Sequence, residues 1–366
     1  MPNYRVAKAY RVITLLKCLG KVFEKVAANA VAEECERRRL LHDRQCGCRK
    51  RRSAIDVVGR LMERVEEAWG RGNTVAVWLM DVQGVFPRVA KGNLIKRMEQ
   101  MGFEADLVRW VESFMEDRKV TMSIDGKEGD CMHVETGVLQ GSPVSPGLFV
   151  IYFSGLFGQV EETEEESGSE GISFVNDVAR VVEWEDVGVC TQRLERCAAE
   201  TTIWAKNNAC HFDIKKTEAM WFTQQRKNKE PTMNARVRVQ DEEVPYNKDA
   251  TRWLGVRLDD MVTVNDHTER TIAKTTKAQN RVRFLMTKKG LSSEGCKRIH
   301  VAAVQAMALY GSELLCHGQK NRAHEVQTLL NEQGRRITGC FRMTPHGALM
   351  KATGVRPAVA VLHNRV

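Results

Sequence analysis

The chain has 366 residues, of which 43% are hydrophobic and 28% charged, and its formal net charge is +9. This composition is typical of a soluble globular protein large enough for two or three subdomains. The absence of a long apolar run argues against a transmembrane helix, and the N-terminus lacks the pattern of a signal peptide. The basic excess suits a polyanionic partner but does not require one.

The 11 cysteines are scattered and do not form repeated C-x-x-C pairs. Cys46 and Cys48 lie too close together for a usual zinc knuckle, and no His-x-x-x-His segment follows them. We therefore expect free thiols in a reducing compartment.

The first block, from about residue 10 to 70, has a helical pattern. Ser53 and Asp56 have the spacing of a capping box that opens a helix. One face of this helix would carry the apolar residues Ile55, Val58, Leu61, Met62, Val65 and Trp69. The basic run 49–52 precedes it, and two interpretations remain open: a solvated charge run or a contact for phosphate groups.

A buried strand comes next. Residues 75–80 are apolar at every position, which is typical of a strand covered on both faces, and Asp81 ends it. Helical patterns follow around 94–101 and 107–115, and the stretch 119–127 reads as a strand that runs into a turn.

A glycine loop then meets a helix in "VLQGSPVSPGLF". Ser142 is predicted to cap this helix, with Pro143 and Pro146 in its first turn. Its apolar stripe, predicted to lie in the core, comprises Phe149, Tyr152, Phe153, Leu156, Phe157 and Val160. The acidic stretch 161–171 is predicted to be a mobile loop.

The stretch "GISFVNDVARVVEW", residues 171–184, has two apolar runs around Asn176 and Asp177. This pattern predicts a tight β-hairpin with a charged tip. The remaining predicted elements are a helix at 187–206, a strand pair within 212–222, a polar break at 223–232, strands near 237 and 253, and helices at about 268–288, 293–316 and 322–341.

Asp81 and Asp177 are the first candidate site residues. Acids at the ends of neighbouring buried strands can bring carboxylates together on divalent cations, which prefer hard oxygen ligands. Taken alone, two isolated aspartates are weak evidence, because ordinary surface acids are the more common explanation.

Five segments change that interpretation when they are taken in order. They resemble the palm motifs of reverse transcriptases, in particular those of non-LTR retrotransposons: "MDVQGVF", "QGSPVSP", "FVND", "KTE" and "RWLGV". The flanking sequences resemble the fingers of that family and the helices after its thumb, so the resemblance spans essentially the whole chain.

The resemblance implies an α+β right-hand polymerase with fingers, palm and thumb. The palm would be an antiparallel sheet backed by helices, and the C-terminal part would be all-helical. The implied domains are partial fingers at 1–73, a palm at 74–265, thumb helices at 266–316 and a truncated helical segment at 317–366. The palm would include a fingers insertion at about 88–135 and primer-grip strands near 250–258.

The implied activity is RNA-directed DNA polymerisation, in which a primer 3′-hydroxyl attacks the α-phosphorus of a dNTP. The implied cofactor is Mg²⁺, as two ions, with Mn²⁺ possible. The implied partners are an RNA template, a DNA primer and dNTP, with no membrane, and the implied location is intracellular and nuclear.

The implied catalytic residues are Asp81, Asn176, Asp177 and Lys216. Asp81, Val82 and Asp177 would hold the metals, and Lys216 would protonate the pyrophosphate leaving group. A solvated lysine is the alternative for Lys216.

The implied substrate-binding residues are Phe86, Gln140, Gly141, Arg11 and Arg49. Phe86 would act as a steric gate against a 2′-hydroxyl, with core packing as the alternative. Gln140 and Gly141 would line the pocket for nucleotide and template, and the two arginines would contact phosphates.

The implied primer grip is formed by Trp253, Leu254 and Gly255. Core packing of the tryptophan is the alternative.

Some residues depart from the family pattern. The hairpin usually presents two adjacent aspartates, whereas this chain has Asn176 before Asp177. A neutral amide is expected to cost about 4 kcal/mol in the transition state, or roughly a thousandfold in rate. Pro87, Val12 and Arg51 also depart from it. We expect a truncated, decayed copy with impaired catalysis, and the alternatives are a catalytically dead nucleic-acid-binding remnant or a non-functional pseudogene product.

Overall fold

The computed structural model describes residues 6, 10, 12–84, 86–167, 169–240, 242–247, 250–263, 265–282, 291–315 and 320–357. The chain divides into two compact units, Met1–Lys248 and Asp249–Val366. Each unit is described by itself below. The predicted boundaries of fingers, palm and thumb stay predictions.

The first unit alternates helices and strands. Its helices are α1 (Cys18–Arg37), α2 (Ala54–Gly70), α3 (Lys91–Gln100), α4 (Ala105–Phe114), α5 (Ser145–Ser167), α6 (Val187–Asn207) and α7 (Arg226–Asn234). Its strands are β1 (Thr74–Gln83), β2 (Arg118–Ile124), β3 (Lys127–Val134), β4 (Ser169–Phe174), β5 (Asp177–Trp184), β6 (His211–Phe212), β7 (Glu218–Phe222), β8 (Arg236–Val239) and β9 (Glu242–Pro245).

The central sheet has five strands, in the order β4-β5-β1-β6, with β7 also paired to β1. All of these pairings are antiparallel. The two strands predicted within 212–222 exist, but they do not pair with each other. Instead, β6 pairs with β1 at Val82 and Gln83, and β7 pairs with the same edge of β1 from Val75 to Leu79.

Helices cover both faces of this sheet. On one face α5 and α6 supply the core, where the rings of Phe153 and Trp204 meet edge to face at 5.3 Å between centroids. On the other side α2 packs against β1 and β4. Burial on both faces explains the apolar run in β1, and the predicted antiparallel sheet backed by helices is confirmed.

The predicted start of α2 is also confirmed. The Ser53 hydroxyl accepts a hydrogen bond from the Asp56 amide, and the Asp56 carboxylate accepts one from the Ser53 amide. This reciprocal capping box satisfies two backbone donors that a helix N-terminus leaves without helical partners.

Three further local predictions in the first unit were wrong. The acidic stretch 161–171 is not a loop, because α5 continues to Ser167 and β4 begins at Ser169. The polar break at 223–232 contains α7. Helix α5 begins only at Ser145, so Pro143 precedes it, and the Ser142 hydroxyl accepts from the Val144 amide instead of capping the helix.

Strands β2 and β3 form a separate hairpin. Most of its residues are exposed on both faces, including the apolar side chains of Met122, Ile124 and Met132.

The second unit contains one small hairpin, β10 (Thr251–Trp253) and β11 (Val256–Leu258), followed by helices. These are α8 (Asn265–Val282), α9 (Ser293–Ile299), α10 (Ala306–Ala308), α11 (Lys320–Thr338) and α12 (His346–Thr353). Beyond Leu258 the described residues contain no further strand, as predicted. The single helix predicted at 293–316 is instead divided, with a π-helical segment at His300–Gln305.

Two further findings concern the described part of the chain. None of its helices combines the length and hydropathy needed to cross a bilayer. Every cysteine in it carries a free thiol.

Candidate active site

The candidate site lies where the C-terminal part of β1 runs beside the first residue of β5. In the antiparallel register, Asp81, two residues before the end of β1, is paired with Asp177 at the start of β5. Residues directly opposite each other on antiparallel strands place their side chains on the same face, about 5 Å apart at Cβ. The structure therefore brings together the two acids that the sequence places almost a hundred residues apart.

The tip of the β4–β5 hairpin supplies the third side chain. Its loop consists of Val175 and Asn176, since Phe174 pairs directly with Asp177. The Asn176 carbonyl accepts a hydrogen bond from the Val82 amide at 3.2 Å, which ties the tip to β1. The Asn176 amide nitrogen donates to Asp81 Oδ1 at 2.7 Å.

Val175 has a backbone φ of 59°. Two-residue hairpin loops need a positive φ, but a β-branched residue adopts it only at a cost of about 1–3 kcal/mol. The tip is therefore strained, and contacts outside the hairpin must hold it.

Those contacts come from the segment just after α1. The Cys46 amide donates to the Ser173 carbonyl at 2.9 Å, and Gln45 forms a parallel bridge with Ser173. A Cβ on Gly47 would lie 2.2 Å from the Val175 nitrogen. Only glycine permits this approach, so the segment and the strained tip fit each other closely.

Lys216 reaches Asp81 from the opposite edge of β1. It lies on a short 3₁₀ turn (Ile214–Lys216) after β6, and the Asp213 amide fixes this turn by donating to the Asp81 carbonyl at 3.0 Å. The Lys216 ammonium lies 2.7 Å from Asp81 Oδ2 and 3.4 Å from Asp213 Oδ2. The hydrogen bond to Asp81 is the main cause that raises the pKa of Lys216.

Asp177 differs electrostatically from Asp81. Burial, and then the nearby charge of Asp81, raise the pKa of Asp177 to about 6, while Lys216 acts in the opposite direction. Burial and a neighbouring negative charge both disfavour the ionised form of a carboxyl group that has no cation next to it. This half-buried acid would be stabilised by a cation.

The other predicted substrate residues lie in well-packed surroundings. The Phe86 ring is half-buried, 6.1 Å from the Phe149 ring on α5, and the Phe86 carbonyl accepts from the Val138 amide at 2.7 Å. The packing interpretation is thus realised, and a gating role stays a prediction.

Gln140 and Gly141 contact the N-terminal segment of the described chain. The Gln140 carbonyl accepts from the Thr14 amide at 2.7 Å. Gly141 has a φ of 121°, and a Cβ there would lie 2.7 Å from the Thr14 carbonyl oxygen. The close approach expected at Gly141 is present, although its partner is backbone of this chain.

Arg49 is engaged inside the protein. Its guanidinium binds both oxygens of Glu36, at 2.7 and 3.0 Å, and also donates to the carbonyls of His42 and Gln45. These bonds favour a role in shaping the segment that docks on the hairpin. Contact with a substrate phosphate stays a prediction for Arg49, and Arg11 lies outside the described residues.

The predicted primer-grip residues belong to the second unit. Trp253 is buried and pairs with Val256, so Leu254 and Gly255 form a two-residue turn. Both turn residues have positive φ, 48° and 85°. The Tyr310 hydroxyl donates to the Leu254 carbonyl at 2.5 Å. Core packing of the tryptophan is observed, and binding of a primer stays a prediction.

Sequence reasoning missed two parts of this site. Asp213 was not singled out, although an acid three residues before Lys216 on a short turn is a readable signal. The docking of residues 45–47 on the hairpin has no local signal, because it depends on backbone bonds between distant segments.

A model of the reverse transcriptase (RNA-dependent DNA polymerase) family matches residues 2–258. The chain belongs to the reverse transcriptase family. The match spans both acids, the hairpin and Lys216, so the geometry described above lies within the family's own region.

This reverse transcriptase chain is similar to polymerases of mobile elements. It is 24% identical over 335 residues to the probable RNA-directed DNA polymerase from transposon BS of Drosophila melanogaster, covering 91% of this chain and 36% of that protein. It is 24% identical over 334 residues to the RNA-directed DNA polymerase from mobile element jockey of the same species, covering 90% and 36%. The chain thus spans about a third of the length of these relatives.

Solved telomerase structures are also similar to it. The telomerase from Candida albicans, in complex with a fragment of telomeric RNA, has a TM-score of 0.47 at 11% identity, covering 92% of this chain and 59% of that one. Apo telomerase from Candida tropicalis has a TM-score of 0.46 at 9% identity, covering 87% and 54%.

Proposed function

We propose that this chain is an RNA-directed DNA polymerase domain whose catalysis is impaired by Asn176. The observation that carries the proposal is the pairing of Asp81 with Asp177, with Lys216 bonded to Asp81. Two acids and a lysine converge here from separate elements, in a chain of the reverse transcriptase family.

Asp81, Asp177 and the backbone of Val82 are the residues that would hold divalent cations. Reverse transcriptases generally use such ions, and carboxylate oxygens suit Mg²⁺ or Mn²⁺. The raised pKa of Asp177 supports this assignment, because an acid that is disfavoured as an anion gains most from a nearby cation. Bound cations would supply the positive charge that phosphoryl transfer requires.

The remaining residues would position the reactants. Lys216, whose side chain is largely exposed, would turn from Asp81 towards the leaving pyrophosphate. Phe86 would pack against the sugar of the incoming dNTP. An RNA template and a DNA primer would be held by the basic surface of a chain with net charge +9, so binding should weaken with salt.

Asn176 weakens this site in two ways. It replaces a charge by a neutral amide, and in the structure it presents its nitrogen, not its oxygen, to Asp81. Both effects oppose the accumulation of positive charge beside Asp81.

Primer extension tests the proposal. Purified chain is given an RNA template, a DNA primer, dNTP and Mg²⁺ or Mn²⁺, and incorporation is measured for the parent, Asn176→Asp and Asp81→Ala. We expect Asn176→Asp to be faster than the parent by roughly a thousandfold, which corresponds to about 4 kcal/mol, and Asp81→Ala to be inactive. Asp125→Asn, at an exposed turn between β2 and β3, is the control for loss of a carboxylate.

Two results would contradict the proposal. Extension by Asp81→Ala at the parental rate would remove Asp81 from the site. No gain from Asn176→Asp over an inactive parent would show that the amide is not the main defect.

A second candidate is a catalytically dead protein that binds nucleic acid. The observation in its favour is that both oxygens of Asp81 are already hydrogen-bonded, to Asn176 and to Lys216. Filter binding of primed template at two salt concentrations would show salt-dependent affinity without extension in either metal. A nuclear location remains a prediction from the family.

A further inference from the structure

The donor set of the site is less anionic than two divalent cations require. Asp81 and Asp177 contribute one negative charge each, two in all, and Asn176 contributes none. Within the described residues no group of three His, Cys, Asp or Glu side chains converges as ligands for an ion. Asp213 does not complete such a group, so it is not a replacement for the missing aspartate.

The orientation of the Asn176 amide follows from its neighbour. Asp81 Oδ1 lies 2.7 Å away and is an acceptor, so the amide must present N–H to it. The opposite orientation would bring two acceptors together without a proton between them. The amide oxygen therefore points away from Asp81, and it can act as a ligand only after the amide turns and loses this bond.

Lys216 covers the other oxygen of Asp81. Its ammonium lies 2.7 Å from Asp81 Oδ2 and 3.4 Å from Asp213 Oδ2. Asp213 in turn is fixed by its own amide, which donates to the Asp81 carbonyl. The ammonium is thus placed by its turn, in contact with Asp81, where it repels any second cation that approaches Oδ2.

From these contacts we infer that the site binds one divalent cation, with the Lys216 ammonium in the place of a second. One divalent cation neutralises Asp81 and Asp177, while Lys216 and Asp213 neutralise each other. The inference rests on the proposed function, because it concerns the same site. It adds that Asn176, Lys216 and Asp213 together set the number of ions.

Counting bound Mn²⁺ tests the inference without any measurement of activity. The full chain is titrated with Mn²⁺ alone at near-neutral pH, and free Mn²⁺ is measured by electron paramagnetic resonance. We expect one ion per chain for the parent and two for Asn176→Asp, since a third negative charge is then restored. We also expect two for Lys216→Met, since this variant removes the ammonium that repels a second cation from Asp81 Oδ2.

Lys215→Met is the matched control, because Lys215 is the exposed neighbour on the same turn. It should bind one ion, as the parent does. Circular dichroism confirms that each variant is folded, and if Asn176→Asp does not fold, Lys216→Met carries the test.

A parent that binds two ions or none would overturn the inference, and so would folded Asn176→Asp and Lys216→Met variants that still bind one. The failure of the proposed function is distinguishable from this. If the parent binds one ion but neither it nor Asn176→Asp extends a primer, the proposed polymerase function is refuted. The inference of one bound ion would still stand.

Discussion

Two hairpins of this protein turn through loops of the same length but by different means. The β4–β5 tip places Val175, a β-branched residue, at positive φ, whereas the β10–β11 tip places Leu254 and Gly255 there. Glycine adopts this conformation almost freely, and valine does not. The tip that carries candidate catalytic residues is therefore the one with a β-branched residue at positive φ.

The outside contacts differ in kind as well. The β4–β5 tip is held by backbone, through the docking of Gly47 on Val175 and the bond from Cys46 to Ser173. The β10–β11 tip is covered by the side chain of Tyr310, which can move. The tip with the β-branched residue therefore has the rigid support, and the tip with glycine has a support that can adjust.

Of the changes that test this comparison, Gly47→Ala should have the largest effect on stability. Its Cβ would meet backbone of Val175 at 2.2 Å, so the docking segment must move and the tip loses its support. We expect a loss of about 3 kcal/mol in the free energy of unfolding, at the upper end for overpacking. Urea denaturation measures it.

Gly20→Ala in α1 is the control, since nothing lies within 4 Å of its Cβ. Alanine is the better helix former, so this variant should be unchanged or slightly more stable. A Gly47→Ala variant as stable as the parent would show that the tip does not depend on this contact.

Gly255→Ala should have a smaller effect. It forces a φ of 85° on alanine and brings its Cβ to 2.9 Å from the Tyr310 ring, but that ring can rotate away. We expect a loss of about 2 kcal/mol, mostly from the left-handed backbone. The same denaturation series measures it. A loss larger than that of Gly47→Ala would show that the support of the β10–β11 tip is the more rigid of the two.

The smallest effect that we expect is a pH dependence of stability. Of the two tips, only the β4–β5 tip should contribute to it. The pKa of Asp177 is raised to about 6 in the folded state, from 3.8 in the unfolded chain. The folded state therefore binds the proton more tightly, and the free energy of unfolding should fall as pH rises from about 4 to 6. We expect a fall of roughly 1 kcal/mol, after allowance for the solvent that reaches this half-buried group.

Asp177→Asn should remove this part of the pH dependence and should be more stable than the parent at neutral pH without metal. Asp125→Asn, at an exposed turn, controls for the loss of a carboxylate. An unchanged pH profile for Asp177→Asn would mean that burial and the charge of Asp81 do not act on Asp177 as described.

Much of the fold could be predicted from the sequence, because its signals are local. The apolar run before Asp81 and the capping box at Ser53 depend only on neighbouring residues, and both were confirmed. The length of α5 was missed for a local reason too: the acidic composition of 161–167 suggested a loop, but an established helix continues through it.

The arrangement of the site depended on more than local signals. The convergence of Asp81 and Asp177 was expected from the family resemblance, and β-strand pairing provides it. The direction of the Asn176 amide and the position of Asp213 follow from side-chain contacts across three strands, which no sequence pattern encodes. For the same reason, the internal bonds of Arg49 were not foreseen.

The β2–β3 hairpin has a practical consequence for any experiment on this protein. Its two outer edges offer backbone donors and acceptors that no other strand in the described part of the chain pairs with. Beside them lie Met122, Ile124 and Met132, all exposed. Such an edge readily adds a strand from a neighbouring molecule, so self-association at high concentration should begin here, and a charged residue in place of Ile124 is the first change to make for solubility.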